Sequence, residues 1–211
     1  MTAIQKKEAR KRILDAATSL FARKGYGSVG IREIAKAADV NISMISYYFE
    51  GKVGILKMII NNFHDQYYHL IKEIADRDLP QEETIRLIVR NLVNFVKANR
   101  DLTMVAFYTI PLDIPEIREI KTEKISVMIK GISGLFNRLD IDPDDPFIMS
   151  IIGPALLSVI LTHFRLKPIQ KNVFNIEFDD VFYERYIETI ATLFLHGLTG
   201  IVAANKEKKK F

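Results

Sequence analysis

Residues 31–52, IREIAKAADVNISMISYYFEGK, limit the possible folds more than any other stretch of this 211-residue chain. Ile31, Ile34, Ala35 and Ala38 recur at the spacing of one helical face. Gly30 serves as the N-cap of that short helix, and Asp39 and Val40 follow it. Asn41 then caps a second short helix, which Ile45 anchors from within. Two helices this short bury too little surface to be stable alone, so they must pack across the three-residue turn between them. This is helix-turn-helix spacing. Ala35 falls where the helices cross, and a larger side chain there would push them apart. The inward set is Ile34, Ala38, Val40, Ile45 and Tyr48. It shares a core with a preceding helix that carries Ile13, Ala17, Leu20 and Phe21 and closes at Gly25.

Tyr47, Tyr48 and Phe49 are consecutive, and successive helical residues lie about 100° apart, so the three rings cannot share one face. The inward set leaves Ile42, Ser43, Ser46 and Tyr47 outside, with Met44 at the edge. Two readings stand for this face. It packs on the rest of the chain, or it meets a partner. Residues 1–52 carry a net charge of +5 and residues 53–211 a net of −1. A basic front fits an anionic partner, and it equally fits a solvated helix. Apolar tips that touch thymine methyls, hydroxyls that meet base edges and lysines that hold phosphates would account for the outer face as a nucleic-acid reader.

Beyond about Val53 the helical pattern continues in longer pieces. They run to about Arg77, from after Pro80 to about Asn99, over 102–110, over 116–139, over the run 147–164, and from about Asp180 to about Asn205. Residues 165–180 read as a loop with a brief extended piece at 173–178. This predicts an all-α chain of about nine helices: a three-helix N-terminal domain over 1–52 and a larger bundle over 53–211. Residues 147–164, FIMSIIGPALLSVILTHF, hold no formal charge over eighteen residues. That is the lower limit of membrane-spanning length. Pro154, Gly153 and the polar residues favour a helix covered by a core plus a partner. The basic N-terminus lacks the apolar segment of a secretory signal, and the chain has no cysteine.

The stretches RILDAATSLFARKGY, IREIAKAADV and ISMISYYFEGKVGIL together resemble the TetR (tetracycline-repressor) family of transcriptional regulators, over about residues 8–56. The resemblance implies a homodimeric, all-helical, cytoplasmic DNA-binding protein, usually a repressor released by a small ligand. It places the family's base and phosphate contacts on Ile42, Ser43, Met44, Ser46, Tyr47 and Tyr48. Its phosphate-binding lysine falls on Lys52, and its second-helix contacts fall near Gly30, Ile31 and Arg32. Four positions depart from the family pattern. Asp39 stands where glycine is common, Gly30 replaces a hydroxyl cap, Ser46 a tyrosine and Val53 an acidic residue. Asp tolerates the left-handed conformation, so the turn is expected to survive.

The implied partners are a double-stranded DNA operator, a second copy of the chain and a small-molecule effector of unknown identity, with no membrane and no cofactor. The last two long helices are the expected dimer seam, with Gly153, Leu157, Ala191, Phe194 and Gly197 on it and Gly200 beyond. The other reading makes both helices central core. Phe63, Tyr67, Phe95, Met104, Phe107 and Tyr108 are candidate ligand-lining residues for an apolar or neutral effector, and an aromatic stripe at helical spacing also reads as plain core. No enzyme is expected. His64 and His69 fall on different helix faces, which is wrong for a shared metal, and no glycine-rich phosphate loop or nucleophile–base pair is present. The alternative reading is a dimeric DNA-binding regulator without a small effector.

Overall fold

The computed structural model describes residues 3–139 and 141–208, with the side chains of 4–139 and 141–197. Gly200 and the lysine-rich tail lie outside the described side chains. Among the described residues there are ten α-helices, one π-helical turn and no strand. The helices are α1 (Ala3–Lys24), α2 (Ile31–Ala37), α3 (Ser43–Phe49), α4 (Lys52–Ala75), α5 (Gln81–Ala98), α6 (Arg100–Met104), α7 (Pro115–Gly131), α8 (Ser133–Arg138), α9 (Pro146–Phe174) and α10 (Asp180–Lys208). The π turn, Val105–Thr109, continues α6. The chain forms two compact units, Met1–His69 with Asn99–Lys130, and Leu70–Ala98 with Gly131–Phe211.

In the first unit α1 packs on α2, α6 and the π turn. Ile13, Ala17 and Phe21 of α1, Ile34 of α2, Ile45 of α3, and Ile55, Leu56, Ile59 and Ile60 of α4 are fully enclosed. Burying side chains of this size contributes about 1.5–3 kcal/mol each, before chain entropy is subtracted. Gly25 closes α1 with φ +80°, and its amide donates to the Phe21 carbonyl at 2.9 Å. Phe49, 4 % exposed, supplies the core ring of α3, whereas the sequence reading placed Tyr48 there. Tyr48 is only half-buried. Phe49 lies four residues after the buried Ile45 and so falls over it on the same face.

In the second unit α5 packs on α10 and α9. Val89, Leu92 and Val93 meet a core that includes Ile160, Ile187 and Ala191. Arg90 reaches both oxygens of Glu184, at 3.0 and 2.9 Å, and Arg86 pairs with Glu188. Asp145 caps α9 by accepting from the amides of Phe147 (2.9 Å) and Ile148 (3.3 Å), with Pro146 in the first turn.

Three expectations are corrected. The helix expected over 116–139 is two helices, because Ile132 leaves helical geometry (φ −118°, ψ 16°) and turns its side chain into the core. The helix expected over 102–110 becomes α6 plus the π turn. Residues 165–174, expected as a loop, continue α9 through Pro168 to Phe174, and no strand forms at 173–178. Pro168 forfeits one backbone bond. Side-chain bonds brace this stretch. His163 Nδ1 lies 2.9 Å from Gln170 Oε1, and Lys167 donates to the Tyr183 hydroxyl at 3.2 Å. Asn175, left-handed at φ +50°, ends the helix.

Candidate nucleic-acid interface

The turn between α2 and α3 is built from local backbone chemistry. Asp39 takes φ +52°, and the Val40 amide donates to the Ala35 carbonyl at 3.1 Å. Ile42 already has helical dihedrals, so Asn41 is the functional cap of α3. Its Oδ1 accepts from the Ser43 amide at 2.9 Å and the Ser43 hydroxyl at 2.8 Å. Helix α3 ends on two left-handed residues, Glu50 (φ +58°) and Gly51 (φ +111°), which reverse the chain into α4. Gly54 faces the Phe49 backbone. A Cβ there would lie 2.7 Å from the Phe49 carbonyl carbon and nearer still to its oxygen.

With Ile45 and Phe49 inside, the outer face of α3 stays open. Tyr47 is 70 % exposed and Ile42 39 %, and Ser43 and Ser46 are exposed beside them. Met44 and Tyr48 are half-buried at the edges, and the Tyr47 and Tyr48 rings meet edge-on at 4.9 Å. Within the first unit this face is left uncovered. Arg32 is exposed near the start of α2. Lys24 pairs with Glu33 at 2.6 Å, and Arg12 lies 3.8 Å from Asp39.

Lys52 stands at the first residue of α4 with its Nζ 4.1 Å from the centroid of the Tyr26 ring. Partial burial lowers its pKa from the ordinary lysine value. Tyr26 packs in turn on Phe21, with ring centroids 5.2 Å apart. Sequence reasoning singled out Lys52 but not its neighbour Tyr26 or the close approach at Gly54, since neither carries a signal without the three-dimensional neighbour.

The other candidates separate into groups. Phe63 stacks on Tyr67 at 5.7 Å and meets Phe107 edge-on at 5.2 Å. Met104 and Tyr108 are half-buried on the same α6 and π-turn segment. Phe95 is buried in the second unit. In that unit a cleft of about 570 Å³ is lined by Ser158, Thr162, His163, Phe174, Phe182 and Tyr186, all outside the ligand-lining set expected from sequence. Of the seam candidates, Gly153 is exposed, Leu157, Phe194 and Gly197 are half-buried, and Ala191 is enclosed within its own chain. Gly197 breaks α10 with φ +66°. His64 is buried and His69 exposed, so the two rings point apart.

Residues 13–59 match the family model described as bacterial regulatory proteins, tetR family. The chain is 32 % identical over 117 residues to the probable HTH-type transcriptional regulator YttP of Bacillus subtilis; the match covers 54 % of this chain and spans about half, 56 %, of that relative's length. Among solved structures, the fatty acid degradation regulator FadR from Bacillus halodurans superposes with a TM-score of 0.69 at 20 % identity, covering 90 % of this chain and 96 % of that one. FadR from Bacillus subtilis in complex with stearoyl-CoA gives 0.67 at 18 % identity, covering 89 % and 98 %. The all-helical fold is shared with both. The head, residues 13–59, is thus similar to the tetR family of bacterial regulatory proteins, and the rest of the chain shares the fold of both FadR structures.

Proposed function

We propose that the chain is a transcriptional repressor that binds a palindromic DNA operator as a homodimer and is released by a small, largely apolar ligand. The observation that carries this reading is the open outer face of α3, an apolar and aromatic surface on a small basic unit. Residues 1–52 read DNA, and residues 53–211 bind the ligand and dimerise. Ile42, Ser43, Met44, Ser46, Tyr47 and Tyr48 meet bases and nearby phosphates, while Arg32 and Lys52 hold the backbone. One three-helix head reads a single half-site, so a second copy about 34 Å away, or a multiple of that, supplies the rest of the affinity.

Helix α9 supports the dimer. Among the described residues it is the one helix long and apolar enough to cross a membrane, and only 22 % of its most apolar window is buried. Phe147, at 69 % exposed, Ile151, Ile169 and Val173 remain uncovered on it. A second copy of α9 and α10 would cover them, with Gly153, Leu157, Phe194 and Gly197 at the seam. A regulator of this kind works in the cytoplasm, where the DNA is.

Ligand control fits the acyl-CoA-bound relative of the same fold. The ligand enters beside Phe63, Tyr67 and Phe107 and favours a head spacing that no longer fits two grooves. A hundredfold loss of DNA affinity needs about 2.7 kcal/mol of coupling, and DNA must weaken the ligand by the same factor. The test is selection of fragments of the source genome on the purified chain. A shared inverted repeat among the recovered fragments is expected. Recovery no better than for random fragments would overturn the reading.

A further inference from the structure

The first unit holds a cation without a counter-ion. Lys121 on α7 places its Nζ 3.2 Å from the Ala106 carbonyl and 3.5 Å from His64 Nε2, and 4.9 Å from the centroid of the Phe107 ring. The nearby Lys124 takes Asp65 at 2.8 Å. Among the described residues no carboxylate lies within ion-pair distance of Lys121.

The hydrogen-bond directions are then fixed by chemistry. An ammonium only donates, so His64 Nε2 accepts and the ring proton sits on Nδ1. That Nδ1 is buried and has no partner among the described residues. Burial and the charge of Lys121 lower the His64 pKa to about 4, which keeps the ring neutral. Burial also lowers Lys121 to about 8, so it is still mostly charged at neutral pH. Thr109 closes the π turn with a second buried, unpartnered group, its hydroxyl. Buried donors left without acceptors are costly, and π-helical turns recur at functional sites. The stacked pair Phe63 and Tyr67, with Phe107 edge-on, supplies an apolar surface in the same unit.

We propose that Lys121 marks the head-group end of the effector site, and that the effector is an apolar small molecule with an anionic head, a carboxylate or a phosphate, that accepts from its ammonium. This deepens the ligand-controlled reading above and rests on it. It replaces the expectation of an apolar or neutral effector with that of an anionic one.

The test compares dodecanoate, dodecyl phosphate and dodecanol by titration calorimetry, all below the concentration at which they form micelles. At least one anionic probe is expected to bind the wild-type chain tenfold or more tightly than the alcohol, and the tighter of the two identifies the head. In Lys121→Met that preference disappears while alcohol binding changes less than twofold. The unliganded variant should melt within 5 °C of wild type, because the relief of desolvating a half-buried cation offsets the loss of its contacts to the Ala106 carbonyl and His64. Equal binding of the three probes, no binding of either anion, or a preference that survives Lys121→Met overturns the assignment. So does a variant that melts more than 5 °C lower, which would make Lys121 a structural residue. DNA binding by the same preparations is measured in parallel, so failure of this site and failure of the regulator reading are told apart.

Discussion

Gly54→Ala tests how α3 is seated on α4. The added Cβ would meet the Phe49 backbone, 2.7 Å from its carbonyl carbon and 3.5 Å from its Cα. Optimal carbon contacts need roughly 3.5–4.0 Å, so either the first turn of α4 or the end of α3 must move by about 1 Å. The obstacle is backbone on both sides, and the chain between them is the left-handed pair Glu50 and Gly51, which has little freedom to yield. Forced overpacking costs about 1–3 kcal/mol. Against this stands roughly 1 kcal/mol gained by replacing glycine with alanine in a helix. The net expectation is a loss of up to about 2 kcal/mol, together with weaker operator binding as Phe49 leaves its seat. Gly134→Ala is the control. It lies in α8 with nothing within 4 Å of the added Cβ, so it should be neutral or stabilise by up to about 1 kcal/mol. Urea unfolding followed by circular dichroism, at one fixed protein concentration, reads both. If Gly54→Ala matches or exceeds wild-type stability, the packing argument is wrong.

Lys52→Ala should weaken binding to all DNA sequences alike, whereas Tyr47→Ala should also change sequence preference, read by competition between operator variants. With ~8 phosphates neutralised per dimer the log–log salt slope should be about −7, and a slope near zero would contradict the phosphate contacts. Replacing Phe194 or Leu157 by glutamate should give monomers that lose operator binding, checked by sedimentation; a wild-type chain that is monomeric at micromolar concentration would sink the dimer. His64 gives a pH signature. Its folded pKa is depressed from 6.5 to about 4 by burial, so the unfolded chain binds the extra proton first as pH falls. Stability is full above pH 6.5 and is lost progressively down to about pH 4, by up to roughly 3 kcal/mol. His64→Gln should remove most of that slope in unfolding measured from pH 7 to 4.5.

The reading head was legible because its determinants are local. The left-handed Asp39, the Asn41 cap and the Gly25 stop each act within a few residues, and sequence shows them directly. The Tyr48 and Phe49 assignment failed by one position, since both rings satisfy the apolar pattern and only packing chooses between them. Pro168 misled because a proline signals a helix end, while bonds such as Lys167 to Tyr183 join residues sixteen apart and leave no pattern. The same limit hid two cation contacts. Lys52 meets Tyr26 and Lys121 meets His64 across gaps that periodicity does not span.

Lys52 is held before any DNA arrives. Its Nζ lies over the Tyr26 ring at 4.1 Å, which sheds part of the ammonium's water and holds a flexible stem in one place. The ordering is therefore completed on folding, and in the proposed complex a phosphate would meet a charge already held and partly dry. Positions 26 and 52 are in consequence coupled through this contact. A mutation that replaces the ring frees the lysine without removing its charge, and a mutation that shortens the lysine leaves the ring bare to solvent.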